Sequence, residues 1–189
     1  MGILFAKSIK QQGVKEVNEA AVARGIREFL DGNVTVMPEE ECEKMYRGYM
    51  TKVAANKKAN AMKEGQDYLL KNAAREGVTV TESGLQYEVM KSGSGGPKPT
   101  LNDKVKTHYH GMNVDGSVFD SSVDRGEPIS FPVSGVIKGW TEALQLMSVG
   151  DKYRLVIPSE LAYGSRGAGA SIAPNAVLIF EVELLGINE

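Results

Sequence analysis

Histidine and cysteine, the residues that most often carry catalysis or hold a metal, are scarce in this chain of 189 residues. It contains two histidines, His108 and His110, and a single cysteine. The histidines are two positions apart in a segment of alternating polarity, so they share one face of a strand, opposite Tyr109. A metal pair there lacks an evident third ligand, and hydrogen bonding on the sheet face is the simpler interpretation. We expect neither a metal nor an organic cofactor.

Other sequence patterns that are typical of catalytic or phosphate-binding sites do not stand out. No paired carboxylates or Ser/His/Asp arrangement stands out, and the glycine-rich stretches 93–96 and 164–169 lack the G-x-x-x-x-G-K-[ST] pattern of a phosphate loop. The lone Cys42 has no partner for an internal disulfide, and we expect it to be a small buried apolar residue. The sequence therefore gives no sign of a nucleophile or a phosphate-binding loop.

A second group of residues is aromatic and apolar, and spacing alone leaves its role open. The only tryptophan is Trp140, and it could belong to an ordinary core together with Phe119, Val136 and Phe180. Taken alone, Asp120 and Arg125 would be a surface ion pair of little consequence. Tyr163, which precedes Gly164, would be a tyrosine in a turn.

Five short motifs resolve this ambiguity when they are taken together. They are HYHGM at 108–112, DGSVFDSS at 115–122, VIKGW at 136–140, AYG at 162–164 and LIFEVELL at 178–185. Over about residues 84–187, in this order, the chain resembles the FKBP-type immunophilins, which are prolyl isomerases inhibited by macrolide drugs. The helical first half resembles the two-domain bacterial subgroup related to the macrophage infectivity potentiator, which is dimeric through its N-terminal helices.

The resemblance implies a peptidyl-prolyl cis-trans isomerase whose clients are proline-containing polypeptides and whose inhibitors are macrolides. It implies a pocket with Trp140 as its floor and with walls formed by Tyr109, Phe119, Val136, Ile137, Ile172 and Phe180. The Ile137 backbone N–H and the Tyr163 hydroxyl would donate hydrogen bonds to carbonyl groups of the bound chain. Asp120 would lie at the rim, tied to Arg125 and Tyr109.

Two positions of the expected substrate-binding set depart from the common pattern of this family. Ile129 stands where an aromatic residue is frequent, and Ala168 stands where a larger residue often lies in the loop after Tyr163. Both bear on the strength of substrate and drug contacts, and both leave the floor unchanged. They also favour an alternative function, a non-catalytic chaperone or adaptor that binds clients with the same pocket and with the Met-rich helices of the first half.

The second half of the chain must supply the strands that position these residues. Alternating apolar side chains predict four strands with one buried face, around residues 85–89, 105–109, 153–157 and 178–184. Asp115-Gly116 predicts a hairpin that leads to Phe119. One helix is predicted near residues 139–147, where Trp140, Leu144 and Met147 recur at helical spacing. The predicted fold class is α+β, with a curled antiparallel sheet wrapped on one short helix over residues 78–189.

The first half, residues 1–77, is predicted to be all-helical. Phe5 and Ile9 indicate one short helix, and Val22, Ile26 and Phe29, behind an Asn18 cap, indicate a second. A long connecting helix is predicted over about residues 38–75, with an apolar start, a charged middle in water and a soft spot at Gly65. These apolar stripes cannot close a core by themselves, so we expect a homodimer through these helices. The alternative is that they pack on the second half of the same chain.

The charge and hydropathy of the chain exclude further classes of function. The 22 Lys and Arg residues nearly balance the 24 Asp and Glu residues, so no basic surface for nucleic acid is expected. No apolar run approaches about 18 residues, and the N-terminal segment lacks the pattern of a secretory signal, so no membrane partner is expected. We expect a cytoplasmic protein, or a periplasmic one if a signal has been removed.

Overall fold

The structure is a computed structural model, and it describes residues 2–14, 16–33, 37–93, 95–169 and 171–188, without the side chains of residues 11 and 57. The chain forms two compact units, residues 1–59 and residues 60–189. We call them the helical unit and the sheet unit, and each is described by itself. The last part of the long helix belongs to the sheet unit, and the predicted domain boundary at residue 77 stays a prediction.

Helices α1, Gly2–Gln11, and α2, Glu19–Leu30, form the helical unit together with the first part of α3, Glu39–Ala73. The Asn18 side chain accepts a hydrogen bond from the Ala21 N–H, which satisfies one of the free donors at the start of α2, as predicted. The predicted long helix is also confirmed, and its 35 residues span about 52 Å.

Many large apolar side chains of the helical unit are exposed in the single chain. The exposed fraction is 85% for Ile3, 68% for Phe29, 77% for Leu30 and 60% for Met45. Cys42 is exposed as well, so the expectation that it is buried was wrong. Cys42 lies in the first turn of α3, where nothing in the described part of this unit covers it, and its Sγ lies 4.0 Å from the Met37 carbonyl oxygen.

Seven antiparallel strands of the described residues form one sheet in the sheet unit. They are β1 Val78–Val80, β2 Gln86–Lys91, β3 Lys104–Asn113, β4 Val118–Ser121, β5 Ile129–Pro132, β6 Lys152–Ile157 and β7 Leu178–Ile187. The strand order is β1-β2-β6-β7-β3-β4, and β5 pairs with the other part of the β3 edge. The long strands β3 and β7 lie side by side at the centre. The predicted α+β class is therefore confirmed.

One face of the sheet, here called the front face, packs on helix α5, Lys138–Leu144. Every second residue of β7 points to this face, and Phe180, Val182 and Leu184 are buried there. Trp140 and Leu144 from α5 complete this core, as the helical spacing predicted. A protein sheet with one dry face shows this alternation because successive side chains point to opposite sides.

The back face of the sheet carries a second, smaller apolar cluster. Val156 and Ile179 are buried there, although Val156 was expected on the polar face of β6. The reason is that Tyr68 and Leu69 of α3 pack on this face and remove it from water. Val89, which was expected to be buried, is 45% exposed near the end of β2.

Among the strands and α-helices of the described residues, β1, β5 and the single-turn helix α4, Ser122–Arg125, were not predicted. Each is four residues or shorter, which is too short for periodicity to be recognised. Pairing with a neighbouring strand fixes β1 and β5, and the Ser121 hydroxyl caps α4 by accepting from the Asp124 N–H. Among the helices in the described ranges, none is long and apolar enough to cross a membrane.

Candidate active site

A cavity of about 750 Å³ opens between the front face of the sheet, α5 and the loop that precedes β7. This volume lies in the range of pockets that bind small molecules or a few residues of a peptide. Its lining is mainly aromatic and aliphatic, and consists of Tyr109, Phe119, Asp120, Phe131, Gly135, Val136, Ile137, Trp140, Tyr163, Ala168, Gly169, Ser171, Ile172 and Phe180.

Aromatic rings packed edge to face form the floor of the cavity. The Trp140 ring centroid lies 5.4 Å from that of Tyr109 and 5.4 Å from that of Phe180, with interplanar angles of 83° in both pairs. Phe131 contacts the indole in the same way at 6.0 Å. Phe119 stands edge-on to Phe180 at 5.4 Å and forms a wall. Edge-to-face pairs at such distances are favourable, so these rings brace one another.

The indole N–H of Trp140 is an unusual feature of this floor. Trp140 is only 4% exposed, and its buried Nε1 has no hydrogen-bond partner among the residues that the structure describes. Tyr109, Phe131 and Phe180 surround the indole instead, each at a steep angle to its plane. An aromatic face replaces the lost hydrogen bond of a buried N–H only weakly. The ring faces of the floor therefore give little stabilisation to polar groups.

The polar rim of the cavity is a connected group of three side chains. The Tyr109 hydroxyl donates to Asp120 Oδ2 at 2.5 Å, and Arg125 Nη2 donates to the same hydroxyl at 3.0 Å. Arg125 also forms an ion pair with Asp120. Burial acts to raise the pKa of Asp120, but the hydrogen bonds from Tyr109 and Arg125 outweigh it and hold this pKa below its ordinary value. Burial, followed by the hydrogen bond to Asp120, raises the pKa of Tyr109.

Two hydrogen-bond donors at the cavity are left without a partner in the described part of the chain. Ile137 precedes the first residue of α5 in an extended conformation, and its backbone N–H makes no hydrogen bond there. Tyr163 is 41% exposed, and its hydroxyl is likewise unpaired within the described ranges. Both residues line the cavity, so a bound chain can receive hydrogen bonds from them.

Comparison with known proteins identifies the family. Residues 95–185 match the model of the FKBP-type peptidyl-prolyl cis-trans isomerase, and residues 1–89 match the model of the domain amino-terminal to it. The chain belongs to the FKBP-type peptidyl-prolyl cis-trans isomerases. It is therefore an isomerase of the two-domain subgroup, as the motifs indicated.

Individual relatives are similar over the whole length of this isomerase. The chain is 47% identical to the FKBP-type peptidyl-prolyl cis-trans isomerase FkpA of Aeromonas hydrophila, and covers 73% of that protein. It is 46% identical to the FKBP-type 22 kDa peptidyl-prolyl cis-trans isomerase of Escherichia coli, and covers 92% of it. The crystal structure of FkpA from Escherichia coli superposes with a TM-score of 0.79 at 34% identity, over 99% of this chain and 91% of that one.

Ten of the predicted site residues line the isomerase cavity, and two do not. Arg125 lies outside the lining and contacts it through Asp120 and Tyr109. Ile129 pairs with Thr107 across β5 and β3 and packs against the front core. Phe131, two residues further on the same face of β5, does line the cavity. Sequence reasoning missed Phe131 because β5, with four residues, was too short to be recognised as a strand.

The histidines hold the edge of the site in place through hydrogen bonds. His108 Nδ1 lies 3.0 Å from the Ser122 hydroxyl, and His110 Nδ1 lies 2.9 Å from the Ser121 hydroxyl. The Tyr109 N–H donates to Ser122 Oγ at 2.8 Å. These bonds join β3 to Ser121 at the end of β4 and to Ser122 at the start of α4, next to Phe119 and Asp120. Within the described ranges, no group of three His, Cys, Asp or Glu side chains is placed to hold a metal ion.

Proposed function

We propose that the cavity catalyses rotation about X-Pro peptide bonds by binding the twisted amide in an apolar environment, with the proline ring on Trp140. The barrier to this rotation is about 18–20 kcal/mol because resonance holds the amide planar. At about 90° of twist the charge-separated resonance form is lost, so the transition state is less polar than the ground state. The aromatic floor and walls support this proposal, because ring faces stabilise the less polar state better than the polar planar amide.

In this mechanism the two unpaired donors hold the backbone on either side of the rotating bond. The Ile137 N–H and the Tyr163 hydroxyl donate to carbonyl groups of the client. A 10⁴-fold acceleration needs about 5.5 kcal/mol, and a single hydrogen bond contributes about 1 kcal/mol. Removal of water from the amide and selection of the twisted conformer must therefore supply most of the stabilisation. Val136, Ile172 and Ala168 would form the walls that exclude this water.

The test is a prolyl isomerisation assay on a short peptide with one X-Pro bond, with and without a macrolide inhibitor. We expect catalysis that the macrolide abolishes. Tyr163→Phe should lower kcat/KM about fivefold, since about 1 kcal/mol of transition-state binding is lost. Trp140→Ala should lower it far more. An intact chain that shows only the spontaneous rate would overturn the proposal.

We further propose a homodimer formed through the helical unit. The support is the exposure of Ile3, Phe29, Leu30 and Met45 in the single chain, because exposed apolar groups of this size mark an interface. The expected mass in light scattering is twice the 20.4 kDa of one chain. Leu30→Asp should shift the protein to the monomer, and a monomeric wild-type chain would refute the assembly.

Apolar side chains of the helical unit that lie outside the dimer contact favour a second function, chaperone activity toward partly folded clients. Large apolar side chains on helices can hold an unfolded segment without any isomerisation. If this function is separate, suppression of client aggregation stays at the wild-type level in Tyr163→Phe and Trp140→Ala, whereas kcat/KM falls about fivefold in the first variant and far more in the second. If aggregation suppression falls together with turnover, holding and isomerisation share one site and the separate chaperone function is rejected.

A further inference from the structure

Gly65 of α3 lies against the loop that forms one side of the cavity. It is buried, and a Cβ atom added there would lie 2.8 Å from Val177 Cγ2 and 3.4 Å from Val177 Cβ. Glycine in a helix interior costs about 1 kcal/mol relative to alanine, so a reason for it is expected. Here the reason is contact, because any larger residue would push Val177 away from the helix.

The segment that contains Val177 continues directly into the cavity. Residues 163–169 and 171–177 carry Tyr163, Ala168 and Ile172, all of which line the site. The Asn175 N–H donates to the Gly164 carbonyl at 2.8 Å, and the Ala168 and Ile172 backbones bond to each other. These bonds make the segment one closed loop, here called the site loop, with Val177 at its end next to β7.

A second segment next to the cavity shares the back cluster with this helix. Met112 and Val114 of the β3–β4 hairpin pack against the buried cluster that contains Val177, and so do Tyr68 and Leu69 of α3. This hairpin leads into Phe119, a wall of the cavity. It is also bonded to the site loop, because Asn113 Nδ2 donates to the Ser171 carbonyl at 3.1 Å. The end of α3 therefore contacts the site loop directly at Val177 and shares the back cluster with the hairpin.

Polar bonds fix this stretch of α3 in register with the sheet. Asn72 is 4% exposed, and its Nδ2 donates to Gln86 Oε1 at 2.8 Å. Gln86 Nε2 in turn donates to the Leu69 carbonyl at 3.0 Å. Arg154 on β6 donates to Asn72 Oδ1 at 3.0 Å and to the Tyr68 hydroxyl. Satisfied buried networks of this kind hold two elements in one relative position.

We propose that the end of α3, residues 65–72, positions the site loop, so that Gly65 and Val177 set the affinity of the cavity for its substrate. Neither residue lines the cavity, and both act through Tyr163 and Ile172. Val177 is β-branched and enclosed by the back cluster, so it cannot rotate away from an added methyl group without moving its backbone. This inference rests on the proposed function, because its readout is the binding of an X-Pro peptide.

The test is a comparison of Gly65→Ala, Val177→Ala, the double variant and Gly48→Ala in the full-length chain. Gly48→Ala is a matched control, since it is the same change in the same helix and an added Cβ meets no described atom within 4 Å. The peptide KM is measured from isomerisation, and its binding constant from the fluorescence of Trp140, the only tryptophan.

We expect Gly65→Ala to raise KM roughly five- to tenfold, with kcat within about twofold, which is the pattern for lost ground-state and transition-state binding together. Val177→Ala alone should raise KM about two- to threefold. The KM of the double variant should lie close to that of Val177→Ala, because the methyl group added by Gly65→Ala then has space. Gly48→Ala should match wild type.

Two outcomes separate failure of this inference from failure of the proposed function. If wild type is an isomerase and Gly65→Ala has the KM of Gly48→Ala, the positioning role is refuted and the isomerase mechanism stands. If Gly65→Ala weakens binding but the double variant does not recover, the effect does not pass through Val177 and the inference is again refuted. A wild-type chain without catalysis refutes the proposed function alone, since the fluorescence titration still measures peptide affinity.

Discussion

Gly111 on β3 offers a direct test of whether the aromatic walls must keep their observed positions. It pairs with Asp120 on one side and with Phe180 on the other. A Cβ added at Gly111 would lie 2.7 Å from Phe119 Cε2 and 2.8 Å from Phe180 Cε1. Optimal carbon–carbon contacts are about 3.5–4.0 Å, so in Gly111→Ala both rings must move by roughly 1 Å.

The size of the effect follows from the cost of such crowding. Overpacking a well-packed site costs about 1–3 kcal/mol. If this cost appears in the transition state, kcat/KM falls roughly 5- to 150-fold, at about 1.4 kcal/mol for each factor of ten. The same cost lowers the thermal midpoint by about 2–4 °C for each kcal/mol in a chain of this length. Both quantities are measurable on the purified variant.

A compensating change separates loss of fold from loss of the walls. Phe119→Leu in the Gly111→Ala background removes one of the two rings that the new methyl group crowds, and the contact with Phe180 remains. We expect the thermal midpoint of the double variant to recover in part, while kcat/KM stays low because one aromatic wall is missing. Wild-type kcat/KM in Gly111→Ala would show that ring placement does not matter. Full recovery of catalysis in the double variant would show that only stability was affected.

Three further predictions concern charge, the back face and the floor. The pKa of Asp120 is lowered in the fold, so the stabilisation by its charge is fully present above the unfolded pKa of about 3.9 and is lost as the pH falls through the folded pKa. The difference in thermal midpoint between wild type and Asp120→Asn should therefore be constant from pH 5 to 8. A trend in that difference would contradict this. Asn72→Ala leaves buried Gln86 Oε1 without its donor, so the free energy of unfolding in urea should fall by about 1–3 kcal/mol; an unchanged midpoint would show that water replaces the bond. Gly139 lies at the start of α5, and Gly139→Ala places a Cβ 2.5 Å from Ile157 Cγ2. The variant should therefore change the fluorescence emission of Trp140 and lower kcat/KM. An unaltered spectrum would show that α5 can adjust without moving the indole.

The cavity lining was predictable where a residue lies in a recognisable motif. Trp140, Phe119 and Tyr163 line the cavity, where the resemblance of their motifs to the FKBP-type family implied them. Phe131 was missed since β5 has four residues, and its position is fixed by pairing with β3 rather than by local pattern. Tertiary pairing is long-range information that a short segment does not contain.

The fold shows the same division between local and long-range information. The helices of the first half were predictable because caps and helical spacing are local, and Asn18 illustrates this. The burial of Val156 was not predictable, since it depends on α3 folding over the back of the sheet. Gly65 was predicted as a weak point of the helix, and its contact with Val177 gives the physical reason for it. A residue that is unfavourable locally is often retained for a tertiary contact.

Strand β7 shows why an apolar site of this kind needs both faces of its sheet to be covered. Phe180 points to the cavity floor, and its neighbour Ile179 points to the back cluster under α3. A floor that selects a twisted amide must hold its rings still, because it acts through shape and dryness rather than through a reactive group. An antiparallel sheet with a solvated back face has fewer contacts that oppose bending. Packing of Tyr68 and Leu69 behind β7 therefore serves the same requirement as the edge-to-face rings in front of it, which is to fix the position of Phe180 against Trp140.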